Sequence, residues 1–254
     1  MKKLLFITII LYASLFAQEK SEIIRVVGNS LIGKTINGIS FREVIGNVIM
    51  TQGNVKVTCD KAIQNLTNNN AELIGNVIAI QDSITITSEK GFYFGDKKYI
   101  YSIKKISLAD KHVLLTADSG YYYFNLNKSV FNSNVQLFDS TNTLKSNKLT
   151  YFNDIQKAIA VGTKDHLASY QTMTAENKPI LIAKAITITY FPQKHYVILD
   201  GDASVIQGIN TIQSPHLEYD LQKQILLTNE SPKAKKRTTI IIQPDDLSTG
   251  KSKD

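Results

Sequence analysis

The chain has 254 residues, with 29 Lys and Arg against 22 Asp and Glu, a formal net charge of +7 and one cysteine, Cys59. A single cysteine excludes an internal disulfide framework, so stability must come from burial, for which the chain is long enough. The mild basic excess, with no stretch that interleaves cations and aromatics, argues against nucleic acid as a partner.

The chain opens Met1-Lys2-Lys3, runs almost wholly apolar from Leu4 to Leu15, and turns polar after Ala17. Two lysines, a short apolar run and a small residue predict a secretory signal peptide over residues 1–17, hence export. The run is short for a membrane span. An uncleaved inner-membrane anchor is the alternative.

From there on, nearly every segment alternates apolar and polar residues. Ile78-Ala79-Ile80-Gln81, Ile84-Thr85-Ile86-Thr87 and Ile186-Thr187-Ile188-Thr189-Tyr190 are examples. β-Branched residues and tyrosines dominate, and Asn, Asp, Gly and Lys clusters punctuate them, which is the strand pattern. The mature chain reads as all-β. Gly46-Asn47-Val48 recurs 29 residues on as Gly75-Asn76-Val77. Each unit reads as two or three strands, one through this corner (Leu73 to Gln81) and one over Ile84 to Phe94. A fixed period of this size means stacked supersecondary units.

After Gly162 the period stretches: Tyr151-Phe152 returns 39 residues on as Tyr190-Phe191. An insertion over about residues 163–178 absorbs the difference and is expected to form a loop. The repeat domain is expected to span residues 18–230. Residues 231–254, with Lys233, Lys235, Lys236 and Arg237, form a basic tail expected to be partly disordered.

Residues at a fixed period stack above one another. Val48, Val77, Ile106 and Val135 form one column, and Val57, Ile86, Leu115 and Leu144 a second. Met50, Ala79, Leu108 and Leu137 follow the first column by two residues and so share its face. Together they predict a continuous apolar strip inside the molecule. A column of small residues, Cys59, Ser88, Ala117 and Ser146, is followed by one of Asp60, Glu89, Asp118 and Asn147.

No catalytic constellation emerges. Gly28 to Thr35 matches the phosphate-loop pattern, but Asn37-Gly38 follows where a helix would have to begin, so the nucleotide reading fails on context. Cys59 stands in a column that demands smallness, which marks a buried structural thiol. One carboxylate per rung is too sparse for calcium. Histidines 112, 166, 195 and 216 share no column, and no zinc spacing appears. Tyr93, Tyr122 and Tyr151, continued by Tyr190 and Tyr219, read as an aromatic ladder between strands. No cofactor or metal is expected.

The unit Gly46-Asn47-Val48-x-x-x-Gln52-Gly53, followed by Val57-x-Cys59-Asp60-x-Ala62, resembles the OstA-like unit of LptA-like lipopolysaccharide-transport proteins. Gly75-Asn76-Val77 leading to Ile86-x-Ser88-Glu89 resembles it too. The resemblance covers about Ile24 to Asn229. It implies an antiparallel sheet folded into a V-shaped β-jellyroll trough, open along one side, that shields the acyl chains of lipid A. Units would join edge to edge, head to tail or to inner- and outer-membrane components, as bare edge strands allow. Lipid contacts would then fall on Val48, Met50, Val57, Val77, Ile86, Ile106, Leu108, Leu115, Val135, Leu137 and Leu144. The rival expectation is an exported structural solenoid whose interior is a closed, dry core.

Overall fold

The computed structural model describes residues 23–174, 179–228 and 238–242. The expected signal peptide, residues 175–178 of the expected insertion and the basic run Lys233 to Arg237 lie outside the described residues. In chain order the strands are β1 (Arg25–Val27), β2 (Ser30–Ile36), β3 (Ile39–Gln52), β4 (Val55–Asn65), β5 (Asn70–Gln81), β6 (Ile84–Phe94), β7 (Tyr99–Asp110), β8 (Val113–Tyr123), β9 (Lys128–Asp139), β10 (Asn142–Phe152), β11 (Lys157–Val161), β12 (Ala168–Met173), β13 (Pro179–Ala185), β14 (Thr187–Phe191), β15 (Tyr196–Gln207), β16 (Asn210–Asp220), β17 (Ile225–Leu227) and β18 (Thr239–Ile241).

The pairing follows from the turns. Two-residue turns join β3 to β4, β5 to β6, β7 to β8 and β9 to β10, each entered through a left-handed residue: Gly53, Asp82, Lys111 and Ser140. Positive φ at that position matches the turn to the twist of the flanking strands. Four-residue turns at the other ends close on left-handed Asn69, Lys98, Asn127 and Gln156. From β2 to β10 each strand therefore pairs antiparallel with the next in a meander.

Each long strand breaks register once near its middle. The break in β3 lies between Ile45 and Val48, and in β5 between Ile74 and Val77. The residues skipped are Gly46-Asn47 and Gly75-Asn76, both left-handed in each pair. Gly and Asn are the residues that tolerate this backbone. Lys104-Lys105 and Ser133-Asn134 take the same conformation one and two repeats on. Two consecutive left-handed residues turn the strand sharply. A single sheet thus becomes two walls meeting at a line of corners. We call the halves next to the four-residue turns wall A and those next to the two-residue turns wall B.

The columns of small and acidic residues sit on this line. Cys59 Sγ donates to the Lys61 carbonyl at 3.2 Å, Ser88 Oγ to that of Lys90 at 3.2 Å, and Ser146 Oγ to that of Lys148 at 2.9 Å. A small donor at this position ties the strand to its own backbone across the break in register. On the next strand, Asn76 Nδ2 donates to Asp60 Oδ2 at 3.0 Å and Asn134 Nδ2 to Asp118 Oδ2 at 2.7 Å. The acidic column thus pins the corner asparagines.

Beyond β10 the walls separate for one unit. β10 pairs on wall A with β11 and on wall B with β12; β11 runs to β14, β12 to β13, and both routes rejoin on β15. The stretch expected to loop over residues 163–178 is in part a strand. Only its first residues form a widened corner, while β12 carries Tyr170, fully buried, into wall B. Apolar alternation is interrupted there by Gln171, Thr172 and Thr174, which hid the strand from the pattern.

The outer face of wall A carries Phe92, Phe94, Tyr99, Tyr101, Tyr121 and Tyr123 as stacks across and along strands, with ring centroids 4.5–6.3 Å apart for neighbouring pairs. Lys90, Lys128, Lys157 and Lys194 lie over outer-face rings. Such pairs stabilise a sheet face that is partly open to water. The chain does interleave aromatics and cations here, within β6 (Lys90 and Phe92) and across strands (Lys128 with Phe152, Lys157 with Phe191).

Candidate functional site

The space between the walls is the candidate site. From wall B, Val48, Met50, Val57, Val77, Ile86, Ile106, Leu108, Leu115, Val135, Leu137 and Leu144 all point into it and all are buried. Neighbours in register are Val57 with Met50, Ile86 with Ala79, Leu115 with Leu108 and with Leu137, and Leu144 with Leu137. The columns read from sequence are therefore one wall of a single interior.

The facing wall was missed. Leu73, Ile100, Phe131, Leu149, Ile188 and Leu199 fill it, again fully buried. Their columns are uneven because volume is exchanged between neighbouring strands. A Cβ on Gly120 would stand 2.8 Å from the Phe131 ring, and one on Gly91 3.3 Å from Ile100. A glycine facing a large residue fills the space that two medium residues fill elsewhere. The register shift also moves inward positions by one on the even-numbered strands, from Cys59 to Ala62 and from Ser88 to Gly91.

The interior is closed along the side opposite the corners. There the tyrosine column of wall A meets a column of Gln and Asp at the ends of the wall B strands. Tyr93 donates to Gln52, Tyr122 to Gln81 Oε1 at 2.8 Å, Tyr151 to Asp110 Oδ2 at 3.4 Å, and Tyr190 to Asp139 Oδ2 at 2.6 Å. The expected ladder between neighbouring strands is thus mainly a set of rungs between walls, although Tyr170 and Tyr190 do pack together, centroids 5.2 Å apart. Burial pushes the Tyr122, Tyr151 and Tyr190 phenols up, so they remain donors at physiological pH.

At the C-terminal end the interior opens. A cavity of about 470 Å³ lies there between Val205, Ile212, Leu226, Ile240 and Ile242, with Gln207, Gly208 and Asn210 at its rim. Among the described residues, β2 pairs only with β3, β17 and β18 only with β16. β2 is exposed throughout and presents Leu31, 62% exposed, at the N-terminal edge.

The remaining motifs have structural roles. Lys34 lies within β2, with its ammonium 3.1 Å from Glu43, and no helix starts there to receive a phosphate. Hydrogen bonds from Lys61 and then Lys34 hold the Glu43 carboxyl below the usual range. Cys59 is buried, and burial pushes its thiol up to about 11, away from the reactive thiolate.

Residues 27–173 match the family of OstA-like proteins. A lipopolysaccharide export system protein, LptH of Pseudomonas aeruginosa, is 31% identical over 120 residues, which is 45% of this chain and 65% of that protein. The chain thus matches just under two thirds of that relative's length. The crystal structure of LptH, described as the LptA-homologous periplasmic component of the lipopolysaccharide transport device of that organism, aligns with a TM-score of 0.47 at 26% identity, covering 52% of this chain and 95% of that one.

Proposed function

The chain belongs to the OstA-like protein family, and on that premise we propose that it is a non-enzymatic periplasmic carrier of lipopolysaccharide. The acyl chains lie between the walls, against the wall B positions Val48 to Leu144 named above and the facing wall A residues. The exposed edges at β2 and at β17–β18 join further copies or the membrane components at either end. The observation that carries this reading is the unbroken apolar interior, closed along one side by a row of tyrosine hydrogen bonds and ring contacts and open at its C-terminal end in an apolar cavity of about 470 Å³.

The energetics allow it. A methylene kept from water is worth about 0.8 kcal/mol, so an acyl chain of roughly a dozen carries about 10 kcal/mol. Two neutral and two charge-assisted rungs together hold the mouth by roughly 4–9 kcal/mol. One buried chain is enough to offset breaking all four rungs, while the empty protein stays shut.

The test is in-cell photo-crosslinking from position 115, with position 111 in an exposed turn as control. A lipopolysaccharide adduct from 115 and none from 111 is the expected result. A well-expressed, exported protein that gives no adduct from 115 would make the interior an ordinary core and the protein a structural solenoid.

A further inference from the structure

The four rungs at the mouth are not equivalent. The first two end on neutral amides, Gln52 and Gln81. The last two end on carboxylates, Asp110 and Asp139. The N-terminal rungs also border a void: a cavity of about 140 Å³ lies among Gln52, Asn54, Gln81, Tyr93, Lys98 and Phe124. There Gln81 Nε2 also donates to Asn54 Oδ1 at 3.4 Å and to the Phe124 carbonyl at 3.5 Å, both near the outer limit of a hydrogen bond. The C-terminal rung belongs to a network of shorter bonds. Tyr190 receives Asn142 Nδ2 at 3.2 Å while donating to Asp139, Asn142 Oδ1 accepts from Thr172 Oγ1 at 3.0 Å, and the Tyr170 ring packs 5.2 Å away. Asp110 is held a second time by Ser83 Oγ at 2.8 Å.

Resting on the carrier reading above, we propose that this ladder is the entry seam for the lipid, and that it parts from its glutamine end while the Asp139–Tyr190 end serves as the hinge. Hydrogen bonds to charged groups hold more firmly than neutral ones, and networked groups reinforce one another. The void leaves the glutamine rungs less completely packed: the Phe124 ring, 6.0 Å from Tyr93 and 5.0 Å from Tyr122, covers the tyrosines on one side of it. Lys98 lines that void and offers a cation where the phosphate of an entering lipid stays in water. An acyl chain thus enters sideways between Gln52 and Gln81 and spreads toward the C-terminal cavity.

The seam can be read without any lipid. In a Cys59→Ser background, thiols are introduced at Ala79 (two residues inward of Gln81) and at Ala158, which is in register with Tyr190. Both sites are buried, so labelling by a maleimide reports opening. The Ala79→Cys thiol is expected to label faster, and Tyr122→Phe to raise its rate roughly 2- to 12-fold by removing one neutral bond. The Ala158→Cys rate should not respond to Tyr122→Phe. Equal labelling at the two sites, or a Tyr122→Phe effect on both, overturns the proposal.

Loading is then followed with purified lipopolysaccharide. Because binding selects the open state, Tyr122→Phe should tighten apparent affinity by the same factor. Lys98→Glu should slow uptake and leave the labelling rates alone. A wild-type protein that shows the labelling gradient but binds no lipopolysaccharide would end the carrier reading and leave the seam standing. Binding without the gradient would do the reverse.

Discussion

Leu114 and Leu115 are the same residue type in adjacent positions of one strand, and they test the two-wall architecture directly. Leu115 is 0% exposed and is in register with Leu108 and Leu137; Leu114 points outward from wall B and is 44% exposed. Truncating Leu115 to alanine removes three carbon groups, a transfer loss of about 2.4 kcal/mol at about 0.8 kcal/mol each. A cavity term adds about 1–2 kcal/mol, because walls fixed by their own hydrogen bonds collapse only partly. The expected cost of Leu115→Ala is thus about 3.4–4.4 kcal/mol, against less than about 1 kcal/mol for Leu114→Ala. Urea unfolding of the purified chain, compared at equal m-value, measures both. If the interior were a water-filled trough, Leu115 would be wet on one side and its truncation would cost little more than that of Leu114. Near-equal costs would therefore refute a packed interior, and with it the view that lipid must part the walls.

Three further outcomes are expected. Asn134 takes φ 51° at a corner and bonds Asp118, so Asn134→Ala should cost about 1.5–2.5 kcal/mol in urea unfolding while Asn134→Gly costs less than about 1, the difference being the left-handed backbone; equal costs would mean that the conformation is not what the asparagine supplies. A Cβ on Gly162 would collide with the backbone of residues His166 to Ala168, so Gly162→Ala should destabilise by about 1–3 kcal/mol or more, seen as a lower thermal midpoint; an unchanged midpoint would show that the widened corner yields freely. His216 sits between Asp200 at 2.6 Å and Glu218 at 3.0 Å, and Glu218 also receives Tyr196. Burial opposes charge on that imidazole, yet the hydrogen bonds to Asp200 and Glu218 outweigh it and raise its pKa. The stability it adds is fully present below the unfolded value of about 6.5 and is lost as pH rises through the higher folded one. Urea midpoints at pH 6 and pH 8.5 should differ by less in His216→Gln than in wild type, and an unchanged difference would exclude His216 as its source.

What the linear pattern reveals here is local. Alternation at period two tells which residues share a face, and the 29-residue period tells which stack. The strands, the wall B columns and the small-then-acidic pair follow from those two facts. The family resemblance added the bend into a trough. Wall A was less legible because its volume is balanced between partners, Gly120 against Phe131 and Gly91 against Ile100, so no single column keeps its size.

The mouth was decided by tertiary structure alone. Tyr122 and Gln81 are 41 residues apart on different walls, and they meet only because each corner turns its strand by a similar amount before the walls converge. A tyrosine in phase with other tyrosines looks the same whether its hydroxyl reaches water, a neighbouring strand or the opposite wall. The sequence by itself determined a β-repeat with one apolar strip. Whether that strip is shut, and what shuts it, depended on where two left-handed residues in every second long strand aim the rest of the chain, because closure is a long-range geometric outcome that no strand-length pattern encodes.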